Sequence, residues 1–240
     1  MRPSGMVAAT LLFTAAVHES VADQETFRPM FHDRDLSGWV NVNTAPDTWV
    51  WSNGVLHCTG QPLGVLRTDR QYENFILELE WRHLRPAGNS GVMIWASPTP
   101  APGQPYPKAI EVQILDHQFL TNQIAAGRKT DWFTTDGDVF AIHGARMIPF
   151  EPNDGRMRSF PRESRTRGSP EWNHYRITAS NGTITLAVNG AVVSGGSNCV
   201  WRKGYICLES EGSPVEFRNV RIRELSGGNA PPEETAPMAE

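Results

Sequence analysis

Glu111 and Gln113 stand two residues apart in the run Ile110-Glu-Val-Gln-Ile-Leu-Asp116. Read as a strand, this run has a period of two, which puts Val112 and Ile114 on one face and Glu111 and Gln113 on the other. The apolar pair then faces a core, and the polar pair faces a groove or solvent. Asp116 has the parity of Val112 and reaches the polar face only where a bulge or the strand's end re-aims it. Two acids converging on one sheet face suit sugar chemistry, because one can move a proton while the other stabilises charge. An edge strand with solvated polar residues gives the same pattern. A second polar cluster, Gly88-Asn-Ser-Gly91, offers hydrogen bonds from Asn89 and Ser90 at a strand entrance, although a plain turn explains such a tetrapeptide equally well.

The elements needed to hold these groups read as short strands. Phe75, Leu77, Leu79 and Trp81 alternate with Glu78 and Glu80, the signature of a long strand with one buried face. Trp49 to Trp51 and Val55 to Cys58 flank Asn53-Gly54, and Asn181-Gly182 and Asn189-Gly190 separate further apolar runs, so each Asn-Gly predicts a tight hairpin turn. Strands are also expected near Trp39, at Gly64 to Thr68, Gly91 to Trp95, Tyr205 to Glu209 and Val215 to Leu225. The prolines of Ser97 to Pro107 cannot donate to a ladder and must form an irregular loop. His117 to Arg167 lacks a clear pattern and reads as a long loop. Its five arginines from Arg156 to Arg167 are nearly balanced by acids over residues 149 to 171, so a solvated, internally paired segment is expected, with an anion or sugar clamp as the alternative. No useful helical periodicity follows residue 22. The fold class is therefore all-β, a two-sheet antiparallel β-sandwich.

Composition agrees and narrows the function. The 240 residues include 21 Gly and 18 Pro, which suits many turns, and 8 Trp against 4 Tyr. A net charge of −4 leaves no basic surplus to neutralise a phosphate backbone, so nucleic acid is excluded as an expected partner. Arg2, the apolar run Met6 to Val17 and Ser20-Val21-Ala22 read as a signal peptide cleaved after Ala22, which implies export to the periplasm or medium. The apolar run is too short to span a bilayer, and no membrane span is expected after cleavage. The boundaries that follow are a signal at 1–22, a linker at 23–28, a sandwich domain at 29–225 and a disordered tail at 226–240 rich in Gly, Pro and Glu. Export permits disulfides; Cys199 and Cys207 could bridge across Lys203-Gly204, or all three cysteines could be small buried residues.

Gly88-Asn-Ser-Gly91, Glu111-Val-Gln-Ile-Leu-Asp116, Glu171-Trp-Asn173, Val188-Asn-Gly190 and Glu216-Phe-Arg-Asn-Val-Arg-Ile222 occur in the order found in the 3-keto-disaccharide hydrolase family, also described as 3-keto-glucoside lyase and hydratase domains. The chain resembles that family from about Phe31 to Leu225. The resemblance implies a concanavalin-like jelly roll and a substrate already oxidised at C3. A ketone there acidifies the C2 proton, so a base can remove it, the glycosidic oxygen at C1 can leave, and hydration of the enone completes a net hydrolysis. On this reading Glu111 is the base or a ligand and Asp116 its partner, with Arg67, Asn89, Ser90 and Gln113 orienting the sugar. A divalent cation could act as Lewis acid on the carbonyl oxygen, with His117, His143, Glu209 and Glu211 as candidate ligands, and His143 and Glu211 also as sugar contacts. No nucleotide cofactor is expected. One departure stands out: where many family members carry a Gln-Asp-His-Gly type stretch, this chain has Leu208-Glu-Ser-Glu-Gly212. Glu209 and Glu211 are two apart and share a strand face, as an added acidic or metal-binding element or as an exposed polar face.

Two other functions fit parts of the pattern. Glu-x-Gln-x-x-Asp resembles the Glu-x-Asp-x-x-Glu of jelly-roll endoglucanases, but the central Gln cannot serve as the assisting carboxylate. A non-catalytic carbohydrate-binding module would stack sugars on Trp39, Trp95, Trp132 or Trp201.

Overall fold

Alternation with a period of two lets each strand bury one face, and two such sheets bury their inner faces against each other. The computed structural model describes residues 26–32 and 35–239; the expected signal peptide and Asp33 lie outside them. One antiparallel sheet runs in the order β10 (Arg146–Pro149), β14 (Ala191–Val200), β13 (Thr183–Val188), β12 (Asn173–Ser180), β6 (Phe75–His83), β16 (Val215–Glu224), β4 (Val55–Cys58) and β3 (Trp49–Ser52), with β1 (Arg28–Pro29) also paired to β16. The other runs in the order β11 (Arg158–Ser159), β9 (Val139–Ile142), β8 (Ala109–Leu115), β7 (Asn89–Ala96), β15 (Tyr205–Ser210), β5 (Gly64–Thr68) and β2 (Trp39–Val42). This is the antiparallel jelly-roll sandwich expected from the sequence. Its Asn-Gly turns carry positive φ at both residues, 51° and 77° at Asn53-Gly54 and 48° and 73° at Asn181-Gly182, as tight hairpins require.

The core lies between the sheets. Phe75, Leu77, Leu79 and Trp81 of β6 meet Val92 and Ile94 of β7 and Ile110, Val112 and Ile114 of β8 in one cluster. Each such side chain contributes about 1.5–3 kcal/mol by leaving water. On the outer face of the β6 sheet the acids are consumed by cross-strand ion pairs. Glu78 is held by Arg176 and Arg221, Glu80 by Arg218 at 2.6 Å, and Glu216 by Arg82 at 2.7 Å. Burial pushes Glu78 and Glu80 up, but their hydrogen-bonded arginines, with Asn219 at Glu80, outweigh it and hold both below the ordinary pKa. The uncommitted acids are on the opposite sheet.

Three features differ from the sequence expectation, and one open alternative is decided. A helix, α1 (His117–Ala125), follows β8; it buries no residue, so it has no apolar stripe to read. Residues 226–239 are not a disordered tail: Gln71 Nε2 donates to the carbonyls of Ala236 and Pro237, Ala236 is 2% exposed, and Ala239 N donates to the Tyr205 hydroxyl. Polar composition hid this, because the segment is held mainly by backbone hydrogen bonds and the Arg202–Glu234 ion pair, with Ala236 its one buried hydrophobic among the described residues. Arg28, placed in a linker, belongs to β1. The three cysteines are buried free thiols. Cys199 packs in the intersheet core and Cys207 in the cluster on the outer face of the β8 sheet, so the turn between them does not bring them together.

Candidate active site

Register places the outer face of the β8 sheet in rows. One row reads Val40, Arg67, Cys207, Met93, Glu111, Phe140, Arg158 from β2 to β11. In the next, Val42, Val65 and Glu209 lead to Gly91 and Gln113. Glu111 and Gln113 therefore do share the face opposite Val112 and Ile114. The missing side chain of Gly91 leaves a gap between Glu209 and Gln113 above β7. A Cβ at Gly91 would stand 2.7 Å from Glu209 Oε2 and 3.0 Å from Glu111 Oε1. Those two oxygens are consequently no more than 5.7 Å apart, the sum of the two reaches. The glycine is required because the carboxylates occupy its side-chain space.

Glu211, just beyond β15, completes the cluster. Its carboxyl lies within the field of Glu209, where a proton placed between the two would be shared. Glu209 is 1% exposed, and its buried Oε2 has no hydrogen-bond partner among the described residues. Burial, then the charges of Glu111 and Glu211, raise Glu209 well above the ordinary carboxyl range. Burial and the Glu211 charge push Glu111 up to about 8, with Arg158 pulling the other way. Burial raises Glu211 to about 7. Three carboxyls this close and dry cannot all ionise, so the cluster retains protons near neutrality.

The shell around the acids comes from loops. Tyr106, from the proline-rich loop, has its hydroxyl raised by burial and then by Glu209, Glu211 and Glu111, which puts it within their field. Arg158 reaches Asp138 at 2.8 Å and lies over the Phe140 ring at 3.4 Å, closing the far end of the Glu111 row. Thr134 donates to Asp138 as well. Gln113 Nε2 donates to Asn89 Oδ1 at 2.8 Å and Ser90 O at 3.2 Å, which fixes the amide beside Gly91. The Ser90 hydroxyl is fully buried and donates to Glu209 O at 2.8 Å; it positions β15 rather than facing a ligand.

The expected partnership of Glu111 with Asp116 does not occur. Asp116 ends β8 and caps α1, accepting from Gln118 N at 2.9 Å, Ala87 N at 2.7 Å and Ser169 N at 2.7 Å. Burial pushes its carboxyl up, but these three donors outweigh it and hold the pKa below the ordinary value. Its lone pairs are committed to the backbone, with no bulge to re-aim it. His117 pairs with Thr166 at 2.7 Å and lies 3.7 Å from Asp136, away from the acids. His143 sits in the turn after β9 at φ 51°, its ring lowered in pKa by burial. Arg67 is buried at the other end of the Glu111 row, over the Tyr205 ring at 4.2 Å.

These placements bear on a metal. Three carboxylates supply the hard oxygens a divalent cation takes, but among the described residues no three His, Cys, Asp or Glu groups are arranged to hold one. The candidate histidines do not join the acids. The donor set does not fit a resident cation. Sugar stacking is reduced too: Trp39 and Trp95 are core residues and Trp201 is covered by Lys108 at 4.0 Å, leaving Trp132, 54% exposed, as the open ring of the four.

Of the functional shell, sequence reasoning missed Tyr106, Asp138 and the role of Gly91. Arg158 was within the arginine-rich stretch, but nothing local separated it from Arg156, Arg162, Arg165 and Arg167, which are exposed.

Three buried carboxyls clustered on the outer face of a jelly-roll sandwich suit acid–base work on a carbohydrate. The chain belongs to the 3-keto-alpha-glucoside-1,2-lyase-like domain family, which it matches over residues 26–223. Its fold is shared by two candidate glycosyl hydrolases of Parabacteroides distasonis: one is 23% identical with a TM-score of 0.60, over 83% of this chain and 100% of that one, the other 20% identical with a TM-score of 0.59, over 84% and 95%. A carbohydrate-binding module from Bacillus subtilis shares the fold more distantly, at 12% identity and a TM-score of 0.53, over 78% and 96%. No curated protein matches the chain. Among the described residues no helix is long and apolar enough to cross a membrane.

Proposed function

We propose that the protein cleaves 3-keto-glycosides by elimination followed by hydration. The observation that carries this is the convergence of Glu111 and Glu209 over Gly91, with Glu111 raised to about 8. A carboxylate whose pKa is lifted toward neutrality is a stronger base than an ordinary one and still ionises at working pH. Glu111 removes the proton at C2, which the C3 ketone has acidified. The C2–H electron pair becomes the C1–C2 double bond, and the C1–O bond breaks. The departing oxygen takes its proton from the Glu209–Glu211 pair, releasing the leaving group as an alcohol. Water then adds at C1 of the enone and a proton returns to C2, giving the 3-keto sugar and a net hydrolysis.

The other side chains position. Gln113, fixed by Asn89 and Ser90, presents an amide beside the gap at Gly91. Tyr106 covers the cluster with a hydroxyl held neutral, a donor for a developing oxyanion. Arg158 and Asp138 are coupled by their ion pair, so Arg158 tempers Glu111 without neutralising it.

The test is proton exchange. Purified protein given a 3-keto-glucoside in deuterium oxide should place deuterium at C2, and Glu111→Gln should abolish both exchange and release of the leaving group. Wild-type protein that leaves the 3-keto-glucoside unlabelled and intact, while cleaving the unoxidised glycoside, would instead make it a conventional glycosidase.

A further inference from the structure

We propose that a cavity on the same outer face as the acidic cluster holds the leaving-group half of the substrate, and that this half carries a carboxylate received by Arg67. The cavity, of about 700 Å³, is lined by Asn41, Asn43, Arg67, Ser97, Thr99 and the C-terminal residues 237–239. That volume is within the ~300–1,000 Å³ range of small-molecule sites. It opens on the same outer face as Glu111, and Arg67 lies in the Glu111 row, three strands away. At ~4.8 Å per strand the backbones are about 14 Å apart. A glycoside with its C1–C2 bond at Glu111 must extend its leaving group along this face or away from it.

Arg67 itself indicates the ligand's charge. The residue is 5% exposed, one guanidinium nitrogen donates to Thr68 O at 3.0 Å, and Nε is buried with no acceptor among the described residues. It forms no ion pair among the described residues, in contrast to Arg158, Arg176, Arg218 and Arg221. The Tyr205 ring beneath it supplies partial compensation only. A buried guanidinium without a carboxylate is unfavourable, and its planar fork matches a carboxylate better than a hydroxyl. Around it the wall is neutral, with Asn, Ser and Thr side chains able to bond a polyol and Pro98, Val42 and Met238 able to meet its carbon edges.

The third wall is the C-terminal segment. Ala236 is anchored by its amide to Lys203 O at 2.8 Å, and Ala239 by its amide to the Tyr205 hydroxyl at 2.8 Å, the same ring that supports Arg67. Met238 between them is 70% exposed. The segment therefore shapes the cavity while resting on the residue under the arginine, which gives it a part in specificity.

Calling the ligand a leaving group rests on the elimination reading above; the binding of a sugar acid does not. Isothermal titration of D-gluconate and D-glucose into the full-length protein tests the site directly. Gluconate should bind saturably and at least tenfold tighter than glucose. Arg67→Met should lose that preference, and deletion of residues 237–240 should weaken gluconate binding. Should Arg67→Met not melt cooperatively, Arg67→Lys takes its place and should lose most of the preference, since an ammonium lacks the fork. Gluconate binding no tighter than glucose, or unchanged in a folded Arg67 variant, would overturn the proposal. A kinetic arm separates the two readings. The wild type should prefer a 3-keto-glucosyl-gluconate over 3-keto-maltose at least tenfold in kcat/KM, and Arg67→Met should level the two. Turnover of neither with gluconate binding intact defeats the elimination reading and leaves the sugar-acid site standing; turnover of both at equal rates defeats the leaving-group assignment.

Discussion

Glu111 Oε1 and Glu209 Oε2 meet over Gly91 with no side chain between them, one from β8 and the other from β15. Their separation is set by the absence of a Cβ on the strand that divides them. Sheet register brings the two acids into adjacent rows, and burial keeps them partly protonated.

Gly91→Ala should therefore damage activity more than stability. The new methyl would press on the ends of two flexible carboxylates rather than on backbone, so the sheet can persist, while the acids must part. Misplacement of about an ångström costs on the order of 100-fold in rate. We expect kcat/KM to fall by about that factor with a melting temperature within a few degrees of wild type. Gly168→Ala, where the nearest atoms are 3.7 Å away, is the control and should keep its rate. Equal rates in the two variants would show that the convergence is not used.

The rate should rise with pH. Glu111 must be ionised to accept the C2 proton, and burial with the Glu211 charge lifts it to about 8, so kcat/KM should climb through neutrality and fall again only where the Glu209–Glu211 pair gives up the proton that the leaving group needs. Glu211→Gln removes a neighbouring negative charge and should move the ascending limb to lower pH. A limb near the ordinary carboxyl value of 4.5 would contradict the buried cluster.

Stability should run the opposite way. Glu111, Glu209 and Glu211 bind protons more tightly folded than unfolded, so the unfolded chain releases more of them as pH rises. The contributions of Glu111 and Glu211 are present in full below about 4.5 and are lost as pH rises through about 8 and about 7, and that of Glu209 runs in the same direction. Thermal melts should show a falling melting temperature across that window. Glu209→Gln, neutral at all pH, should flatten the fall and raise the melting temperature at pH 8 by about 2–4 °C for each kcal/mol relieved. A melting temperature that rises from pH 5 to 8 in the wild type would count against the shared protons.

Asp116 offers the reverse case. It caps α1 and ties the Ala87 and Ser169 amides to the end of β8, so Asp116→Ala should lower stability by about 0.5–2 kcal/mol, the cost of losing an N-cap. At a temperature where the variant is fully folded, its turnover should match wild type. A large loss in kcat without a loss in stability would return Asp116 to the chemistry.

Strand parity made half of the site legible. It put Glu111 and Gln113 on one face, and it paired Glu209 with Glu211 through their spacing of two. It could not decide that β8 and β15 flank the same strand, which is a matter of sheet order. Asp116 was misread because its chemistry resembles that of Glu111 while its position, the residue after a strand and before a helix, makes it a cap. Helix α1 escaped notice because none of its residues is buried, Phe119 meeting only Phe133 edge-on, so no apolar stripe marks it. Tyr106 is one aromatic among prolines, and only the fold of that loop over β15 brings it near the acids. The tail from 226 reads as disordered by composition, yet backbone hydrogen bonds that carry no side-chain signature hold it against Gln71, Lys203 and Tyr205.

The most direct measurement follows the C2 hydrogen of a 3-keto-glucoside in deuterium oxide by NMR, with wild-type protein and Glu111→Gln compared at pH 8. The account predicts that wild type incorporates deuterium at C2 as the leaving group is released, and that Glu111→Gln does neither while melting as a folded protein. Release of the leaving group with the C2 hydrogen retained, or exchange undiminished in Glu111→Gln, would contradict it.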